Sequence, residues 1–200
     1  VPIRTNLAIP HPLSTLFLDR DGVINEKMPE GEYVRCANDL RVLAGVPEAI
    51  AKLNQAGIRV LVVSNQRGIA LGLYTAEAVD LIHQALQEQL RAHGAHVDGF
   101  FFCPHDKATC QCRKPLPGLY EQAVAQFPGI RPETSVMIGD SLSDIEFGNS
   151  LNMSTIWITG DGRNRKPGSD MAGQFATTVC RDLPEAVAAL LRVPESAGRV

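Results

Sequence analysis

Two aspartates set two residues apart carry the first chemical signal in this chain. In the stretch 15–25, TLFLDRDGVIN, the apolar run Leu16-Phe17-Leu18 stops abruptly at Asp19, and Asp21 follows with Gly22 behind it. The run has the length and makeup of a buried strand, so its end in charge places both carboxylates at the carboxyl edge of that strand. Ligands bind at that edge in open parallel sheets. One carboxylate can attack or hold a metal while the other moves a proton; the alternative is a capping or turn pair before a loop.

Other strand ends repeat the pattern. RVLVVS (59–64) ends in Ser64-Asn65-Gln66, and TSVMIG (134–139) ends at Asp140, with Asp144 about one helical turn further on. Oxygen-rich carboxylates such as Asp19 and Asp140 suit Mg²⁺, which is small, hard and drawn to phosphate oxygens. Lys114 and the groups around Ser64 can neutralise the oxygens of a phosphoryl group in transfer. Together these parts fit phosphoryl transfer through an aspartyl-phosphate. They fit a dehydrogenase poorly, because no G-x-G-x-x-G follows a strand.

The elements that must position these residues alternate strand and helix. Helical spacing with punctuation predicts helices over 47–56 (Pro47 early, Gly57 after), 76–93 (Thr75 as N-cap), 116–127 and 183–191. Strands are expected near 16–18, 59–64, 97–103, 134–139 and 153–159, with long loops at 25–43 and 160–173. This alternation implies an α/β fold built on a doubly wound parallel sheet. The Asp19–Ser64 and Ser64–Lys114 intervals are filled by these elements, so no separate cap domain is expected. Loops 26–34, 66–74 and 103–113 then shape an open site. Residues 1–13 read as an extended lead-in, 14–192 as a single domain and 193–200 as a frayed tail.

A second cluster lies just before Lys114. Cys103, His105, Cys110 and Cys112 offer three thiols and an imidazole in one short loop, the donor set of a closed structural zinc site. Unliganded thiols beside a surface histidine are the alternative. Four protein ligands leave no open position, so such a zinc would pin the loop leading to Arg113 and Lys114. Cys36 and Cys180 have no partners in the motif.

Composition narrows the class. At 200 residues, 44% hydrophobic and 20% charged, the chain reads as a globular domain with a real core. A formal net charge of -3 argues against a nucleic-acid or membrane-surface binder, and no apolar run is long enough for a membrane span. The opening VPIRTNLAIPHPL has no continuous apolar h-region, so a cytoplasmic protein, and a monomer, is expected.

The DRDGVIN stretch, the Ser64-Asn65 strand end, Lys114 before Pro115 and GDSLSD at 139–144 resemble the motifs of the haloacid dehalogenase superfamily. The resemblance implies a Rossmann-like fold, with Asp19 as nucleophile and Mg²⁺ ligand. It implies Asp21 as general acid/base that also meets Mg²⁺ through its backbone carbonyl, with Asp140 as a further Mg²⁺ contact and Asp144 behind the site. Ser64 and Lys114 become the phosphoryl stabilisers.

The CPH…CQCRKP arrangement and SNQRGIALGLYT (64–75) are similar to the zinc-containing branch that holds D-glycero-D-manno-heptose 1,7-bisphosphate 7-phosphatases and histidinol-phosphate phosphatases. In that branch the implied substrate is a small phosphorylated sugar from envelope or capsule precursor synthesis, or histidinol phosphate. The resemblance makes Arg113 a holder of the phosphate that is not cleaved, and makes Asn65, Gln66 and Arg67 lining of the sugar-phosphate pocket. Arg67 can equally be a solvated loop charge. The chain departs from the heptose pattern at Arg67, Leu71, Leu73 and Ser141.

Overall fold

The computed structural model describes residues 12–162 and 169–192. The expected lead-in and tail lie almost wholly outside the described residues. The strands are Thr15–Leu18 (β1), Arg59–Asn65 (β2), Gly99–Cys103 (β3), Ser135–Gly139 (β4), Ser154–Ile158 (β5) and Thr178–Cys180 (β6). They form one six-stranded sheet in the order β3-β2-β1-β4-β5-β6, and each adjacent pair is parallel. The chain winds outward in one direction through β2 and β3, then returns past β1 and winds the other way. The switch falls between β1 and β4, and that leaves a crevice at their carboxyl ends.

Alternation along each strand sends neighbours to opposite faces. Leu16, Leu18, Val60, Val62, Val136 and Ile138 join one core. It is completed by Val46–Gln55 (α1), Ala76–Arg91 (α2) and Leu183–Leu190 (α6), through Ile50, Leu53, Leu86, Leu90 and Val187. Phe17, Leu61, Val63 and Met137 join the other core, against Leu119 and Ala123 of Gly118–Gln126 (α3) and Phe147 of Leu142–Ser150 (α4). With both faces covered, a central strand is apolar throughout, so β1 reads as an unbroken run and not as an alternating one.

The expected elements are present with trimmed ends. Thr75 caps α2 by accepting a hydrogen bond from the Ala78 N–H. Two elements escaped the sequence reading. β6 is a three-residue edge strand, too short for its pattern to stand out. The stretch expected as loop at 160–173 contains a 3-10 turn, Ser169–Met171, leading into the short helix Ala172–Phe175 (α5). Between β1 and β2 the only regular structure before α1 is the 3-10 turn Ala37–Asp39. Among the described residues no second folded unit stands between the strands to act as a cap. No described helix is long and apolar enough to cross a membrane.

Candidate active site

The switch point brings the aspartates together. Asp19 follows β1 directly, and its N–H donates to the carbonyl of Ile138 on β4, 2.9 Å away. Asp140 follows β4, and Asp144 lies in the first turn of α4. Side-chain oxygens of Asp19, Asp140 and Asp144 lie within 4.8 Å of one another, an arrangement able to hold a cation. Gly22 (φ +93) lets the β1 loop approach: a Cβ there would sit 2.3 Å from an oxygen of Asp140. Lys27, which carried no sequence signal, makes an ion pair with Asp140.

Lys114 reaches this cluster from the other side. Its Nζ lies 3.0 Å from Asp19 Oδ1 and 2.6 Å from Asp144 Oδ1, and it donates to the carbonyl of Val63 at 2.6 Å. The Lys114 and Asp144 side chains are each 1% exposed. Burial alone would discharge such an ammonium, but Asp144 and Asp19 outweigh it and hold Lys114 protonated. Asp144 is likewise held below the usual carboxylate range: Lys114 and Ser141 overcome the cost of its burial. Ser141 caps α4, donating from both N–H and Oγ to Asp144 Oδ2. Asp19 differs. Burial, which Lys114 only partly offsets, combines with repulsion from Asp144, Asp140 and Asp21 to push its carboxyl up to about 7. A site that resists one more negative charge this strongly is suited to a divalent cation.

Asp21 does not join the cluster with its side chain. Its carboxylate accepts from Arg20 Nη2 at 3.0 and 3.1 Å, from Asn25 Nδ2 at 2.9 Å and from Gln66 Nε2 at 3.3 Å. Burial opposes its charge, but Arg20, Asn25 and Gln66 prevail and hold it below the usual range. Arg20, fully buried, gave no sign of this role in the sequence beyond its place between the two aspartates.

The remaining predicted residues separate into inward and outward groups. Asn65 clamps the backbone of Lys114: its Nδ2 donates to Lys114 O at 3.1 Å, and Lys114 N–H donates to its Oδ1 at 3.0 Å. Gln66 is buried, with its amide directed at Ser64 Oγ, Asp21, Tyr74 and Arg20. Both amides are therefore spent on the site's own framework, not on an open pocket. Arg67 pairs with Asp106 of the cysteine loop at 2.5 Å, both side chains being partly exposed. Arg113 is half-buried, and its Nη1 is enclosed without a protein hydrogen-bond partner.

The cysteine loop is compact. Cys103 Sγ lies 3.5 Å from Cys110 Sγ and 3.7 Å from His105 Nδ1, while Cys112 Sγ lies 3.5 Å from Cys110 Sγ and 3.2 Å from that same Nδ1. A tetrahedron with metal–sulfur bonds of about 2.3 Å has edges of about 3.8 Å, so these atoms fit a zinc-sized sphere. Burial and the neighbouring thiols push Cys112 up to about 12. The loop is seated on α3: Gly118 N–H donates to Gln111 O, and a Cβ at Gly118 would lie 2.7 Å from Cys112 Cα.

Comparison with known proteins agrees with this architecture. The haloacid dehalogenase-like hydrolase family matches residues 10–152. The D-glycero-alpha-D-manno-heptose-1,7-bisphosphate 7-phosphatase of Mycobacterium tuberculosis is 43% identical over 137 residues, 68% of this chain and 72% of that protein. The D-glycero-beta-D-manno-heptose-1,7-bisphosphate 7-phosphatase of Bordetella bronchiseptica is 32% identical over 181 residues, 90% of this chain and 99% of that one. A crystal structure of the D,D-heptose 1,7-bisphosphate phosphatase from B. bronchiseptica, complexed with magnesium and phosphate, has a TM-score of 0.79 at 32% identity. That match covers 90% of this chain and 98% of the crystallised one. With its sheet order, its paired aspartates and these relatives in agreement, the chain belongs to the haloacid dehalogenase-like hydrolase family.

Proposed function

We propose that this protein is a Mg²⁺-dependent phosphatase that removes the 7-phosphate of D-glycero-D-manno-heptose 1,7-bisphosphate through a phosphoryl ester of Asp19. The observation that carries it is the Asp19–Lys114–Asp144 chain beside Asp140 at the sheet's switch point. Asp19 attacks phosphorus, and the bond to the sugar's O7 breaks as Asp21 gives that oxygen a proton. Asp21 then takes a proton from water, which attacks the phosphoryl group and frees Asp19 as a carboxylate. The phosphoryl group, entering with its negative charge beside Asp21, favours the protonated acid that the first step needs. Lys114 and the Ser64 hydroxyl steady the equatorial oxygens.

Asp19, Asp140 and the backbone carbonyl of Asp21 would hold Mg²⁺, which when bound offsets the repulsion between carboxylate and phosphate. Cys103, His105, Cys110 and Cys112 would hold a structural Zn²⁺ that fixes the approach to Arg113 and Lys114. Arg113 would take the phosphate that stays on the sugar, and Arg67 would stand at the same mouth.

The named relatives favour the heptose substrate over histidinol phosphate. The test is phosphate release measured on both anomers of the heptose bisphosphate and on histidinol phosphate. Preference for a heptose anomer is expected, and preference for histidinol phosphate would overturn the assignment.

A further inference from the structure

Gln66 holds a position that its side chain can occupy in only one orientation. It is 2% exposed, and its neighbours Ser64, Tyr74 and Arg20 are 1%, 8% and 0% exposed. Arg20 can only donate, and its Nη2 faces Gln66 Oε1 at 3.5 Å. The Asp21 carboxylate can only accept, and it faces Gln66 Nε2 at 3.3 Å. The flipped amide would oppose N–H to guanidinium and carbonyl to carboxylate, so the orientation is determined by chemistry. Tyr74 reinforces it, donating its O–H to the same Oε1 at 2.8 Å. Burial pushes the Tyr74 phenol up to about 12, so it keeps that proton. Gly68 makes room for the ring: a Cβ there would lie 2.1 Å from a Tyr74 carbon.

The consequence falls on Ser64. Its Oγ accepts from Gln66 Nε2 at 2.7 Å. An oxygen already receiving that N–H has no use for its own proton in the same direction, and a hydroxyl rotor otherwise follows whatever partner is present. We propose that Gln66, held by Arg20 and Tyr74, is a positioning residue that turns the Ser64 proton toward the incoming phosphoryl oxygen. This rests on the reading of Ser64 as a phosphoryl stabiliser, and it gives the buried Arg20–Tyr74 group a task in the reaction.

Gln66→Glu reverses the bond to Ser64 but also sets an oxygen against the Asp21 carboxylate, where the native N–H donates at 3.3 Å, so Gln66→Met is measured beside it as the uncharged variant. Glutamate keeps the shape and still accepts from Arg20 and Tyr74, but it presents oxygen to Ser64, whose proton then turns to residue 66 and away from the substrate. On the heptose bisphosphate, and on p-nitrophenyl phosphate in parallel, kcat should fall roughly 100- to 1,000-fold, the order of one lost donor, with KM nearly unchanged. Ser64→Ala should lose a similar factor, and the Gln66→Met/Ser64→Ala double variant should be no worse than Ser64→Ala alone. Losses that multiply in the cycle of Gln66→Met with Ser64→Ala would mean that Gln66 acts through Asp21 or through folding, and they would overturn the inference, as would a fully active Gln66→Glu beside a crippled Ser64→Ala. A harmless Ser64→Ala would instead remove the role of Ser64 itself. Gln66→Met, which neither donates nor accepts and puts no charge against Asp21, supplies the cycle that decides.

Discussion

Replacing Lys114 with methionine keeps the bulk of the side chain and removes its charge, leaving Asp144 and Asp19 facing each other in the crevice. In the native protein the ammonium lies 2.6 Å from Asp144 and 3.0 Å from Asp19, and the Asp144 side chain is 1% exposed. Breaking a buried pair by removing one partner costs about 3–5 kcal/mol, which in a domain of this size lowers the melting temperature by roughly 6–20 °C.

The cost must also depend on pH. Native Asp144 is held below its ordinary value. The stability it contributes is therefore present above the unfolded carboxylate range and is lost as pH falls through its folded value. Without Lys114 the same carboxyl is raised by burial and by Asp19. It then folds protonated at low pH, and the variant loses stability as pH rises. The gap between the two proteins should widen as pH rises above the ordinary carboxylate range. Urea unfolding of both proteins at each pH, in chelator so that no divalent ion intervenes, measures it. Lys114→Met/Asp144→Asn should recover much of the loss. A gap that is small, or constant with pH, would refute the account of Lys114 as the counter-charge of the site.

The other expectations are narrower. Asp19→Asn should abolish turnover but still bind the heptose bisphosphate, as measured by calorimetry; residual phosphatase activity near the native level would exclude the covalent ester. In metal-free protein the Asp19 carboxyl is raised to about 7 by burial and its carboxylate neighbours. The stability it contributes is full at acid pH and is lost as pH rises through about 7, so added Mg²⁺ should raise the melting temperature more on the alkaline side of that value. Cys110→Ser should release zinc, read by elemental analysis, and lower both stability and activity; freshly purified native protein without zinc would defeat that assignment. Arg113→Ala should raise KM for the bisphosphate far more than for a sugar monophosphate. Arg67→Ala removes a partly exposed, solvent-screened ion pair with Asp106 and should leave the melting temperature nearly unchanged.

Much of this site was visible in the sequence because the relevant signals are local. The apolar run 16–18 ending in Asp19, the strand 59–64 ending in Ser64 and the run before Asp140 each mark a strand and its polar end within a few residues. The cysteines are close enough in the chain for one short loop to gather them. Doubly wound topology then follows from the strand–helix alternation, and it brings separate strand ends to one edge.

The partners of these groups were not legible, because they depend on contacts distant in sequence. Nothing local shows that Lys27 meets Asp140, that the Asn65 amide clamps the Lys114 backbone, or that Gln66 is folded inward while Arg67 points outward. β6 and α5 were missed because elements of a few residues have too little periodicity to stand out. Sequence alone determined which residues can do chemistry and at which strand ends they stand. Only the tertiary structure decided their charge states and orientations, because burial and the opposing charges brought in by other strands and loops set both.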